Sequence, residues 1–223
     1  MTGKDVLAPG CAIGFVGLGR MGRPMASRLA AAGYKLHLVD ANGDVAREVA
    51  AEVGERASAS VADLGCGLAA VILMLPDGHA VRGVLVDEGL LRRLEPGCVV
   101  IDMGSCEPAG TVQLGTLAAA RGLEMVDAPV SGGVARARTG ELTIMAGGRP
   151  QALARCRPLL EAMGSKLFAT GALGTGQAMK SLNNFVSAAG LVATCEAVII
   201  GQRFGLDPAV IAEVLNGSTG KNN

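Results

Sequence analysis

The chain leaves a short apolar strand, Cys11–Val16, through Gly17-Leu18-Gly19-Arg20-Met21-Gly22 and passes straight into a helix. No other stretch constrains the possible folds as strongly. Glycine supplies 33 of 223 residues. A G-x-G-x-x-G match therefore arises by chance at about 0.003 per position, roughly 0.7 times in the whole chain, so context must decide. The context is specific. The helix Met21–Ala32 has apolar spacing and ends at Gly33, and the next strand, Lys35–Val39, closes on Asp40, 18 residues after Gly22. Gly17 permits a tight turn, Gly19 lets a phosphate approach the backbone, and Gly22 lets helix pack on strand. The helix N-terminus then faces the phosphates, with Leu18, Arg20 and Met21 completing the loop.

Such a unit predicts a dinucleotide site. Asp40 is placed to bond ribose hydroxyls and to repel a 2′-phosphate, which favours NAD over NADP; the alternative for Asp40 is a turn residue at a strand end. The pattern continues downstream. Leu68–Leu75 is an unbroken apolar run closed by Pro76, the signature of a strand covered on both faces. Further strands are predicted at Val99–Ile101, Glu124–Val126, Leu142–Ala146 and Lys166–Phe168. Helices are predicted at Gly43–Val53, near His79–Val86, at Pro108–Arg121 and at Pro150–Met163. Alternating strands and helices predict an α/β fold, a doubly wound parallel sheet with right-handed crossovers.

The texture changes after Gly171. From Gln177 to Phe204 there is no strand signal, and between Asn184 and Gln202 the only charge is Glu196. This predicts an N-terminal nucleotide-binding domain over residues 1–171 and the beginning of an all-α domain over 172–223. A helix apolar nearly all round is expected to be buried between domains or subunits. A membrane span is the weaker reading, because the run Phe185–Ile200 is short and interrupted by Ser187, Gly190, Thr194 and Glu196. One more helix, Pro208–Leu215, follows. With so little chain to cover the long helix, the sequence is expected to be cut within its helical domain. Alone, it is expected to bind NADH weakly, turn over little and associate through the uncovered helix.

Composition narrows the function. Half the residues are apolar and 18% are charged, which excludes disorder. Lys+Arg and Asp+Glu are 20 each, so no global field attracts nucleic acid or an anionic membrane. Aromatics make up 2%, too few for base-stacking platforms. The six cysteines are dispersed without a C-x-x-C pair, which predicts reduced cytoplasmic thiols, no disulfide framework and no metal site. No signal peptide is visible at the N-terminus.

Three further segments bear on chemistry. Asp102 to Pro108 follows a strand, where ligands of such sheets gather. Asp127 to Gly133 places Ser131 beside Gly132 and Gly133, a hydroxyl and open backbone amides suited to a carboxylate; a plain loop is the alternative. Gly174 to Asn184 leads into the long helix with Lys180 and Asn184 four apart on one face. A lysine partly buried there would have its pKa lowered toward the range of a general acid or base; solvent exposure is the alternative.

Together these segments resemble the β-hydroxyacid dehydrogenase family, the group of 3-hydroxyisobutyrate dehydrogenase. Gly-Phe-Val-Gly-Leu-Gly-Arg-Met-Gly near the start, Asp102 to Pro108, Asp127 to Gly133 and Gly174 to Asn184 occur in the family's order, over residues 12 to about 220. The resemblance implies a Rossmann-type domain followed by a helical one, and hydride transfer between NAD or NADP and a small β-hydroxyacid. It implies Lys180 as the catalytic lysine and Asn184 as the residue orienting the substrate. Ser131, Gly132 and Gly133 become the carboxylate loop, Leu75 and Pro76 backbone along the cofactor, and Ser105 a neighbour of the nicotinamide ribose. It also implies a homo-oligomer, dimer or tetramer, joined through the helical domain. Gly104-Ser105 departs from the commoner Ser-Thr pair. Arg136 stands where a small residue is usual, either to read a second anionic group or as a surface residue. A non-catalytic nucleotide-binding oligomerisation module, and a reductase of another carbonyl or an imine, are the competing readings; intact Lys180, Asn184 and Ser131 disfavour the first.

Overall fold

The computed structural model describes residues 6–64 and 66–220. Residues 1–5, 65 and 221–223 lie outside the described residues, and with them part of the N-terminal stretch read for a signal peptide. The chain divides into two units, Met1–Lys180 and Ser181–Asn223.

Among the described residues, the first unit forms a nine-stranded sheet flanked by helices. Its strands are β1 (Ala12–Val16), β2 (Lys35–Val39), β3 (Arg56–Ser58), β4 (Ala70–Leu73), β5 (Val99–Asp102), β6 (Glu124–Asp127), β7 (Val130–Ser131), β8 (Thr143–Gly147) and β9 (Lys166–Gly171). The helices between them are α1 (Gly22–Ala31), α2 (Gly43–Val53), α3 (Gly78–Arg82), α4 (Leu90–Arg93), α5 (Pro108–Ala119), α6 (Gly133–Thr139) and α7 (Pro150–Glu161). Strand order is β3-β2-β1-β4-β5-β6-β8-β7, with β9 also paired to β8.

Period-two alternation explains why the central strands read as continuous apolar runs. In β4 and β5, Ile72 and Ile101 turn to one face, where Met25 and Leu29 of α1 and Cys156 and Leu159 of α7 pack. Their neighbours Val71, Leu73 and Val100 turn to the other, against Val81, Leu85 and Leu114. Both faces are dry, as a strand between two helix layers requires. Local signals fix the helix ends. The Asn42 side chain accepts the Asp44 amide at the start of α2, and Gly54 ends it in the left-handed region at φ 72°.

The expected parallel sheet holds through β6 and becomes mixed at one edge. β1, β2, β3, β4, β5 and β6 are parallel, but β8 runs antiparallel to β6 and β7 and parallel to β9. The physical cause is local. After β6 the chain turns at Ala128–Pro129 into the two residues of β7, and the seven-residue α6 is too short to carry it back across the sheet. Edge strands of two and three residues carry too little apolar pattern for a sequence to announce, which is why β3 and β7 were not among the predicted strands.

The second unit holds the remainder of α8 (Thr175–Arg203) and α9 (Pro208–Gly217). Asp207 caps α9 by accepting the Ala209 amide at 2.7 Å. Gly201 packs closely against Ile211 and Leu206. The long helix is uncovered within this chain, as expected with so little chain to cover it: Phe185 is 71% exposed, and Val186, Leu191 and Ile199 are exposed with it. One short helix cannot cover every side of a helix this apolar. By length and composition alone α8 also suffices to cross a membrane.

Candidate active site

The register lines up one row of residues at the C-terminal edge of the sheet. Val39 pairs with Val16, Val16 with Leu73, Leu73 with Asp102, Asp102 with Asp127, and Asp127 with Gly147. The loops that follow these residues hold most of the predicted site, at the edge where α/β sheets take their ligands.

Gly17 follows Val16 of that row with φ 95°, a conformation that residues with a Cβ rarely adopt, and a Cβ there would strike the Met74 carbonyl. A Cβ on Gly22 would collide with the carbonyl of Gly17, so helix and turn lie as close as backbone allows. Gly19, by contrast, faces open space. Among the described residues no protein acceptor meets the amides of Gly19, Arg20 and Met21. These donors and the N-terminus of α1 fit a pyrophosphate. The loop is braced from behind, because the Asp40 carboxylate accepts the Leu18 amide at 2.7 Å and the Asn42 amide at 2.8 Å. Each carboxylate oxygen can accept again, so Asp40 keeps capacity for ribose hydroxyls while fixing the turn.

Next along the edge, Leu75 and Pro76 leave β4. The Leu75 side chain lies against Gly17, and its carbonyl lies against Gly104, where a Cβ would sit 2.7 Å from that oxygen. The Gly104-Ser105 pair thus has a steric reason in this chain: position 104 has no room for a side chain unless the Leu75 backbone moves. Ser105 itself is exposed.

Two buried aspartates close β5 and β6, and both are fully shielded from solvent. Asp102 accepts the Gly104 amide at 3.0 Å and, at 3.4 Å, the side-chain amide of Gln177. Burial pushes its carboxyl up to about 6, the charge of Asp127 adds to that push, and hydrogen bonds from Cys106 and Gly104 oppose it. Asp127 accepts the amides of Gly174 and Gln177, each at 2.7 Å, and so caps the first turn of α8. Burial raises its carboxyl as well, against the pull of those amides. Lys180 is one turn further on, half-buried, and burial alone lowers its ammonium below the ordinary lysine value.

Ser131 ends β7 in register with Thr143, and Gly132 and Gly133 adopt φ 130° and 66° at the start of α6. The Arg136 side chain folds back over Gly132 and remains exposed. Asn184 lies on the continuation of α8, in the second unit. The structure therefore brings together the Gly17 turn, Leu75, Gly104 and the Lys180 turn of α8. Gln177, Asp102 and Asp127 were not predicted as site residues. The available signal was an acidic residue closing each of two successive apolar strands, where an unpartnered carboxylate is costly to bury.

A stability test follows from Asp102. A carboxyl raised from 3.8 to about 6 binds its proton more tightly in the folded than in the unfolded chain. Its contribution is therefore most favourable below about pH 4 and is lost as pH rises through about 6. Urea unfolding of parent and Asp102→Asn is expected to show the parent's relative stability falling by roughly 2–3 kcal/mol between those limits, at about 1.4 kcal/mol per pH unit. Any fixed cost of the substitution cancels in that comparison. A difference that stays flat with pH would show that Asp102 titrates normally.

The family profile described as the NAD binding domain of 6-phosphogluconate dehydrogenase matches residues 12–171, and that described as NAD-binding of NADP-dependent 3-hydroxyisobutyrate dehydrogenase matches residues 174–223. Mitochondrial 3-hydroxyisobutyrate dehydrogenase of Mus musculus is 40% identical over 94% of this chain, which spans 62% of that protein's length. NAD-dependent L-serine dehydrogenase of Pseudomonas aeruginosa is 42% identical, with 94% of this chain and 70% of that protein covered. The solved structure of Mycobacterium tuberculosis 3-hydroxyisobutyrate dehydrogenase with L-serine superposes with a TM-score of 0.88 at 35% identity, covering 95% of this chain and 72% of that one. By shared sequence and shared fold, the chain belongs to the β-hydroxyacid dehydrogenase family of 3-hydroxyisobutyrate dehydrogenase.

Proposed function

We propose that this chain binds NAD and transfers hydride between it and a small β-hydroxyacid, with Lys180 as general acid and base. The observation that carries the reading is Lys180: a half-buried amine with a lowered pKa, on a helix turn pinned to the strand ends beside the dinucleotide turn. NAD supplies the hydride acceptor at its nicotinamide when bound. The amides of Gly19 to Met21 hold its pyrophosphate, Asp40 its ribose, and Leu75, Pro76 and Ser105 flank its path. In oxidation the Lys180 amine takes the substrate hydroxyl proton, and in reduction it returns that proton to the carbonyl oxygen. A neutral amine at working pH requires the lowering that burial provides. Ser131 with the Gly132 and Gly133 amides receives the substrate carboxylate, and Asn184 orients the hydroxyl. The exposed apolar side chains of α8 support a homo-oligomer joined through the helical domain, and the dispersed free thiols support a reduced cytoplasmic setting.

The names of the relatives choose the test compounds: 3-hydroxyisobutyrate, L-serine and 2-(hydroxymethyl)glutarate. Incubated with NAD and the intact enzyme, at least one β-hydroxyacid of such a panel is expected to raise NADH absorbance. No turnover on any of them, with NADH still bound, would favour the non-catalytic reading.

A further inference from the structure

Resting on the reading of Lys180 as the proton-transfer group, we propose that Gln177 is its positioning residue. Its buried carboxamide locks the Lys180 turn of α8 to the Gly104–Cys106 loop, with Asp102 and Asp127 as anchors.

Gln177 is completely buried in the first unit, one helical turn before Lys180. Its backbone amide joins that of Gly174 on the Asp127 carboxylate, which fixes the helix start to the end of β6. Its side chain reaches the next strand end. The Cys106 amide donates to Oε1 at 3.0 Å, and Nε2 donates to the Gly104 carbonyl at 3.1 Å and to Asp102 at 3.4 Å. The orientation is forced, because the Cys106 amide can only donate and the Gly104 carbonyl can only accept. The loop so held carries Ser105 between those two partners and lies against Leu75. One side chain thereby couples two segments that lie more than 70 residues apart in sequence (|i−j| 71 and 73). Packing supports the same lock. A Cβ on Gly176 would strike the Met145 carbonyl and approach Asp127, so the helix start sits as close to the sheet edge as backbone permits.

The chemistry explains why glutamine is required. Leucine fills similar space but leaves the Cys106 amide and the Gly104 carbonyl buried without partners. Ionised glutamate would turn an acceptor toward two acceptors, the Gly104 carbonyl and Asp102. It recovers the pattern only by holding a proton. The titratable groups around position 177 are Asp102, Asp127 and the Cys106 thiol, with Glu107 and Asp77 acting on that thiol and Lys180 on the same helix. The carboxylates favour protonation of a glutamate there.

The test compares Gln177→Leu, Gln177→Glu and Lys180→Ala in the intact enzyme, by NADH fluorescence titration and by pH-dependent turnover of the best substrate of the panel. A misplaced catalytic group typically costs about 10²-fold in rate. Gln177→Leu is expected to lower kcat by roughly 30- to 100-fold while NADH affinity and KM stay within about threefold. Gln177→Glu is expected to be slow near pH 8 and to regain at least about tenfold toward pH 6, a rescue by protonation that loss of folding would not produce. Where Gln177→Leu does not fold, the pH profile of Gln177→Glu decides alone. If Lys180→Ala is inactive but Gln177→Leu runs within threefold of the parent, or Gln177→Glu shows no acid rescue, the positioning role is wrong and the lysine reading survives. If Lys180→Ala itself turns over normally, the lysine reading fails and the positioning role fails with it.

Discussion

Lys180→Ala is expected to lower turnover by about 10²–10⁴-fold, the usual contribution of a general acid–base group, while NADH binding changes little. The two readouts separate because the lysine and the nucleotide turn are built by different elements. The amides proposed to hold the pyrophosphate belong to the β1–α1 loop, held by Asp40, whereas Lys180 rides on α8, held by Asp127. Removing the amine leaves both supports in place. Fluorescence titration reads the first and a substrate assay the second. A variant within threefold of the parent would mean that another group moves the proton, and loss of NADH affinity in parallel would mean that Lys180 serves the cofactor instead.

The second large effect concerns the choice of nucleotide. Asp40 lies at the end of β2 with its carboxylate bound to the Leu18 and Asn42 amides. With the ribose at Asp40 as proposed, a 2′-phosphate would meet that charge at reduced dielectric, a cost of a few kcal/mol. At about 1.4 kcal/mol per decade, kcat/KM is expected to favour NAD over NADP by roughly 10²-fold. The next residues, Ala41 and Asn42, offer no cation to relieve the repulsion. Asp40→Asn keeps an acceptor for the turn while removing the charge, so it should shrink the preference by more than about tenfold. Equal use of both nucleotides by the parent would show that the 2′-position lies away from Asp40.

Much of this layout was legible in the residues, and the illegible parts share a physical cause. β1, β4 and β5 announce themselves because strands buried on both faces are apolar along nearly their whole length, and β2 because Leu36 and Leu38 alternate with the polar Lys35 and His37. The glycine turn is legible because Gly17 and Gly22 answer steric demands that no other residue meets. What periodicity does not encode is direction: β8 has the same apolar pattern running antiparallel to β6 as it would have running parallel. Short edge strands such as β3 and the two-residue β7 hold too few side chains to show a period. The Asp102–Gln177–Asp127 lock escaped for a different reason. It joins residues 50 and 75 apart through hydrogen bonds, and only the register of β5 against β6 reveals that the two aspartates stand side by side. The apolar α8 read as a helix that needs partners to bury it, and within this chain its Phe185 and Val186 face outward, since burial depends on what packs against a helix as well as on its composition.

Transfer of label from substrate to nucleotide tests hydride chemistry most directly. A β-hydroxyacid of the panel carrying deuterium on its carbinol carbon is supplied to the intact enzyme with NAD, and the reduced nucleotide is analysed by mass. The expected result is one deuterium on the nicotinamide ring per turnover, formed with Lys180→Ala at a rate about 10²–10⁴-fold below the parent. Reduced nucleotide without the label, or tight NAD binding with no transfer from any β-hydroxyacid, would contradict the assignment of this chain to hydride exchange with a β-hydroxyacid.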